Sequence, residues 1–149
     1  IIKAAVGEFP GTMKMNSSEF SPCSSLLQGT ELLGEVFEKA AKITTIDVDV
    51  VTLDEALGNV VMKDNILVKL DVQGYEIPAI RGAVKLLSRT RMVVCEVSFF
   101  RRLYAGQPLF HDVYEELRSH GFTYMGNAEQ SVRPTDGRVV EADAVFEKV

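Results

Sequence analysis

The stretch Asn65-Ile66-Leu67-Val68-Lys69-Leu70-Asp71-Val72-Gln73-Gly74-Tyr75-Glu76 constrains the fold more than any other part of the chain. Ile66 to Leu70 is an apolar run broken once, short enough for a strand buried on both faces. Asp71 falls where that strand ends, Gly74 permits a sharp turn, and helical periodicity begins at Tyr75. A strand, a tight turn and a helix in that order belong to an α/β sheet. Open sheets of that kind place ligand chemistry where their strands end. Two readings of Asp71 stand side by side: a functional carboxylate at the rim of the sheet, or a residue that only caps the turn or the helix.

The residues that follow extend the unit. Ile77, Ile80, Val84 and Leu87 recur at helical spacing and predict a helix from about Tyr75 to Ser88, with Pro78 tolerated in its first turn. Arg91 to Phe99 is the next strand, with Met92 to Cys95 as its buried body and Glu96 at its C-terminal end. Strand, helix and strand of these lengths make a parallel βαβ unit with a right-handed crossover, which brings Asp71 and Glu96 out at the same edge. Pro108 opens a further helix carried by Leu109, Val113 and Leu117 and ended by Gly121. Phe122 to Met125 reads as a strand. Asp136-Gly137 is a turn between Ser131–Pro134 and a last strand near Ala142 to Phe146, so an antiparallel hairpin closes the sheet.

Upstream, Ile1 to Val6 reads as a short strand ended by Gly7 and Phe9-Pro10-Gly11, and Thr12 to Met15 as a second. Met13 to Gly29 is Ser-rich and aperiodic, a long loop of the sort that often carries function. Thr30 to Lys42 contributes a helical turn weakened by Gly34. Ile46 to Val51 alternates apolar and acidic residues, as a half-exposed edge strand does. Thr52-Leu53-Asp54-Glu55 fits a capping box, followed by a short helix through Leu57.

At 149 residues the chain suits a single α/β domain over residues 1–149. Its net charge of -5 argues against a nucleic-acid surface, and Arg101-Arg102 is read as a solvated corner. No apolar run approaches the roughly 18 residues that span a bilayer, and no signal-peptide pattern opens the chain, so the expected setting is cytoplasmic. Cys23 and Cys95 fit no metal spacing, a disulfide is not expected in a reducing compartment, and no metal site is predicted. Nucleophile-elbow, P-loop, GxGxxG and zinc-protease patterns are absent. What remains is a set of polar residues where strands end: Asp71, Gln73, Glu76 and Glu96. Each also has a structural reading, since Glu76 meets a helix N-terminus favourably and Glu96 can accept backbone amides.

The run Leu67 to Glu76, followed by Ile80-Arg81-Gly82-Ala83, resembles the central motif of the FkbM-type S-adenosylmethionine-dependent methyltransferases. That motif has lysine, an aliphatic, aspartate, a short turn, glycine and, two residues on, glutamate. Thr52-Leu53-Asp54 upstream fits the family's order. So do Val94 to Phe99, Tyr104, Gly106 to Phe110, Gly121-Phe122 and Ala142 to Phe146 downstream. The resemblance implies a class I methyltransferase (Rossmann-like) fold, a seven-stranded sheet in order 3-2-1-4-5-7-6 with a terminal antiparallel hairpin. The family's glycine-rich first strand and its ribose-holding acidic residue have no counterpart here. Together with the opening at Ile1-Ile2, this gives the expectation that N-terminal strands one and two are missing from this sequence. It also leads us to expect weak or no cofactor binding by the segment alone.

The net charge and the lack of a spanning apolar run give no nucleic-acid or membrane partner, an oligomer stays open, and the resemblance implies S-adenosylmethionine as cofactor with a small-molecule or sugar hydroxyl as acceptor. It puts Asp71 nearest the reacting methyl, Gln73 and Glu76 in support, and Glu96 on acceptor hydroxyls, with Ala5 and Val6 on the adenine. Ser24-Ser25 and Tyr104 are weaker candidates for the pocket wall. Three other readings stay open: a catalytically silent methyltransferase-like interaction module, an unrelated nucleotide-binding α/β enzyme, and a purely structural domain that binds none of these ligands.

Overall fold

The computed structural model describes residues 1–37 and 42–148. Among them the strands form two sheets. The smaller is ordered β1-β3-β2, from β1 (Ala5–Val6), β2 (Gly11–Ser18) and β3 (Ile43–Val51). The larger is ordered β4-β5-β7-β6, from β4 (Ile66–Leu70), β5 (Thr90–Ser98), β6 (Phe122–Val132) and β7 (Val139–Lys148). The helices are α1 (Glu31–Val36), α2 (Leu53–Leu57), α3 (Glu76–Arg81), α4 (Val84–Arg89) and α5 (Phe110–Ser119). The chain is therefore α/β, built as two sheets. None of the described helices is long and apolar enough to cross a membrane.

The larger sheet follows from the pattern of its strands. β4 and β5 are parallel, and β7 runs antiparallel to both β5 and β6, as the βαβ unit and the closing hairpin require. Every second residue of β5 and β7 (Val93, Cys95 and Val97; Ala142, Ala144 and Phe146) faces one side. There α3, α4 and α5 press Ile80, Leu87, Val113 and Leu117 onto them in one core cluster. Cys95 is fully buried and packs as a small hydrophobe. The opposite face carries Glu96 paired with Asp143 and Ser98 paired with Glu141.

Several expectations are corrected. β4 is buried on one face only: Leu70 is covered, while Leu67 is 58% exposed and Lys69 is also exposed. The helix expected from Tyr75 to Ser88 is two helices, and Val84, expected in its buried stripe, is 52% exposed. The break is at Gly82, where a Cβ would lie 2.0 Å from the Gly7 carbonyl oxygen. The main chain after β1 thus passes against the α3–α4 junction, and a helix continued through Gly82 with any side chain would collide with it. The Ile46–Val51 strand is not an edge, because β2 pairs it from Ile43 to Val50 and β1 pairs Val50 and Val51 on its other side.

β1 is only Ala5–Val6, since pairing starts there and Ile1 to Lys3 are exposed. β2 reaches Ser18, so the aperiodic Ser-rich segment starts later than its composition suggests. β6 is continuous across the expected gap after Met125, kept in the ladder by three register shifts that absorb extra residues. α1 falls within the expected Thr30–Lys42 turn, of which residues 38–41 lie outside the described residues.

Two polar contacts fasten the smaller sheet to the helical layer. Thr52 Oγ1 accepts the Glu55 N–H at 3.0 Å and starts α2, as expected. The Asp54 carboxylate then accepts the Lys85 and Leu86 N–H groups at 2.9 and 2.8 Å, at the start of α4. Gly82→Ala should cost about 1–3 kcal/mol through forced displacement of the Gly7 backbone, and Asp54→Ala about 1 kcal/mol through two uncapped amides. Urea denaturation checks both, and a loss under about 0.5 kcal/mol for Gly82→Ala contradicts the packing account.

Candidate active site

Because Leu70 pairs with Cys95 in parallel register, Asp71, the first residue past β4, comes beside Glu96, which β5 holds two residues before its end. The chain then reverses through two residues in the left-handed region, Gln73 at φ 51° and Gly74 at φ 92°. At Gly74 a side chain would also crowd Leu27 Cδ1 at 3.1 Å and Gln107 Cγ at 3.3 Å. At Gln73 the conformation costs about 1–2 kcal/mol, and its hydrogen bonds hold it there. The side-chain Nε2 donates to Asp71 Oδ1 and to Glu96 Oε2, both at 2.8 Å. Its Oε1 accepts from the Tyr104 hydroxyl at 2.8 Å, and its main-chain carbonyl accepts from Ser25 Oγ at 2.6 Å. One side chain therefore ties both strand ends to Tyr104 and to the serine loop.

The supporting contacts are buried. The Tyr104 hydroxyl is shared with the Cys23 carbonyl at 3.2 Å. Gln107 Oε1 accepts the Leu103 and Tyr104 N–H groups at 2.8 and 3.3 Å, and its Nε2 donates to Ser98 Oγ at 3.1 Å. Glu76 is 2% exposed and turned inward, where its Oε1 accepts the Gly74 N–H at 3.0 Å. Burial pushes its carboxyl above the ordinary range, against the pull of backbone amides in the turn.

Between the rim of the larger sheet and the loops of the smaller one lies a cleft of about 660 Å³. Asp71, Gln73 and Glu96 line it, facing Ala5 and Val6, and Ser24 and Ser25 add hydroxyls from the loop. Of the residues singled out in the sequence, these come together. Glu76 and Tyr104 lie behind the wall, where they brace Gly74 and Gln73.

Glu141 lines the same cleft and was not singled out in the sequence. Alternation along the last strand gives it a polar face, but only the register that sets Glu141 across from Ser98 brings it to the site. Ser98 Oγ donates to Glu141 Oε1 at 3.4 Å, and burial raises the Glu141 carboxyl. Among the described residues, no group of three His, Cys, Asp or Glu is arranged to hold a metal ion.

Burial, with Asp71 and then Glu141 as like-charged neighbours, pushes Glu96 up to about 8. Near neutral pH Glu96 is thus mainly a carboxylic acid, a donor as well as an acceptor. Lys69 lies at the side, its Nζ 2.9 and 3.0 Å from the two carboxylate oxygens of Asp143 and 3.8 Å from Asp71 Oδ2. The site can thus accept a proton at one carboxylate, donate one from another, and hold hydroxyl groups between them.

The model of one family, the methyltransferase FkbM domain, matches residues 6–124 of this chain. The chain belongs to that family, which sets aside an unrelated nucleotide-binding enzyme. No curated protein and no solved structure matches it.

The raised Glu96 group has a consequence for stability. Its folded value near 8 stands above the ordinary 4.5, so the folded state holds the proton more tightly than the unfolded state. The contribution of this group should be fully present below the lower value and lost as pH rises through the higher one. Urea midpoints measured across that window should decline for the wild-type protein and decline less for Glu96→Gln; parallel curves would refute the assignment.

Proposed function

We propose that this protein transfers a methyl group from S-adenosylmethionine to a hydroxyl oxygen of a small molecule or sugar, on a class I methyltransferase sheet of which β4-β5-β7-β6 is one half. Family membership and the antiparallel placement of β7 support the fold reading. The observation that carries the functional reading is the Asp71–Gln73–Glu96 bridge, which stands open to the cleft at the ends of two parallel strands.

The residues present suit the cofactor. Carboxylates at the rim complement a sulfonium cation, and the half-buried Ala5 and Val6 offer an apolar edge to an adenine ring. When bound, S-adenosylmethionine supplies an electrophilic methyl group. Asp71 accepts the hydrogen bond, and then the proton, of the acceptor hydroxyl. Glu96 holds neighbouring hydroxyls of the acceptor as donor and acceptor. Gln73 fixes the two carboxyl groups relative to each other, and Glu76 fixes the turn that carries Gln73. Positioning of this kind matters because displacement requires the oxygen about 3 Å from the methyl carbon and in line.

The partner in this reading is a small hydroxyl compound, without nucleic acid or membrane. A reducing, cytoplasmic setting accords with the two buried cysteines, neither of which is in a disulfide. Asp71→Asn should lower kcat by about 100-fold or more while changing cofactor affinity by less than about threefold, because it removes the proton acceptor and keeps the shape. Steady-state kinetics together with titration calorimetry separate the two. Turnover equal to wild type would remove Asp71 from this role, and a silent interaction module would show no turnover in either protein.

A further inference from the structure

Among the described residues the cleft is lined by the carboxyl groups of Asp71, Glu96 and Glu141 and by no Lys, Arg or His. Lys69 is drawn aside to Asp143, and the Gln73 amide is spent on Asp71 and Glu96. Ser25 Oγ donates to the Gln73 carbonyl and accepts from the Leu27 N–H, so it too is engaged. The described wall therefore offers many acceptors and no side-chain cation of its own.

We propose that the cleft takes an acceptor without negative charge, a neutral polyhydroxy compound, and that Glu141 enforces this choice. The inference rests on the methyltransferase reading above. Hydroxyl groups donate to Asp71 and Glu141, so each keeps a hydrogen bond when water leaves. A carboxylate or phosphate on the acceptor would enter a partly desolvated site beside the Asp71 and Glu141 carboxyl groups, with no Lys, Arg or His among the described lining residues to pair with. Rejection by an unpaired buried charge discriminates more strongly than a difference in fit. Glu141 is well placed to set the rule. It stands on β7, away from the Asp71–Gln73–Glu96 bridge, and Ser98 Oγ, itself held by Gln107, donates to it. Its charge can be changed without breaking the bridge.

The test uses the whole protein, methyl-tritiated S-adenosylmethionine and a small-molecule extract of the cells that make the protein. Labelled products, freed of the donor by reversed-phase chromatography, are passed over an anion exchanger. The wild-type protein should yield unretained label in excess of retained label by about tenfold or more. Glu141→Lys should bring label into the retained fraction, and the isosteric Glu141→Gln should reduce the excess to an intermediate value. Mostly retained label from the wild type overturns the proposal. A ratio unchanged in both folded variants overturns the part given to Glu141. If the donor binds by calorimetry and no labelled product forms at all, the methyltransferase reading itself fails, and this proposal falls with it.

Discussion

The primary amide of Gln73, set between the carboxyl groups of Asp71 and Glu96, is the contact on which the rest of the site depends. Two carboxyl groups brought together at a sheet rim repel each other unless something intervenes. Here two things do. Burial keeps Glu96 largely protonated near neutral pH, and the amide gives each group a donor. A hydrogen bond to a charged group contributes about 1.5–3 kcal/mol and one between neutral groups about 0.5–1.5 kcal/mol, together enough to offset the roughly 1–2 kcal/mol of left-handed backbone at Gln73. The strain at this turn is therefore a consequence of where the amide must reach.

The cleft exists because a second structure is held against that rim. β3 leads into α2, whose Asp54 carboxylate accepts the first amides of α4. Gly7 and Gly82 meet backbone to backbone. These contacts hold β1, whose Ala5 and Val6 line the cleft together with Asp71. On the other side, Ser25 and Tyr104 both bind Gln73, so the serine loop and the segment after β5 are anchored to the turn itself. The wall and the rim are parts of one hydrogen-bonded network, and networks of this kind fix geometry more firmly than their separate bonds suggest.

Membership in the FkbM methyltransferase family gives this arrangement a chemical context. Asp71, Glu96 and Glu141 make the lining of the cleft acidic. Glu96 adds a further property, since its protonation near neutral pH lets a crowded acidic site present a donor as well as acceptors.

The sequence by itself determined the strand-turn-helix at Ile66 to Glu76, the parallel pairing of β4 with β5, and hence the meeting of Asp71 with Glu96. A strand and a helix of those lengths leave the chain only one way to return to the sheet. It also determined the closing hairpin, through turn residues and alternation. Tertiary structure decided the break at Gly82, the exposure of Val84 and Leu67, the inward turn of Glu76 and the arrival of Glu141 at the cleft. The physical reason is one of range. Periodicity records which face of a local element is apolar, whereas a collision with Gly7, or a register that aligns Ser98 with Glu141, involves residues far apart in the chain and leaves no local trace.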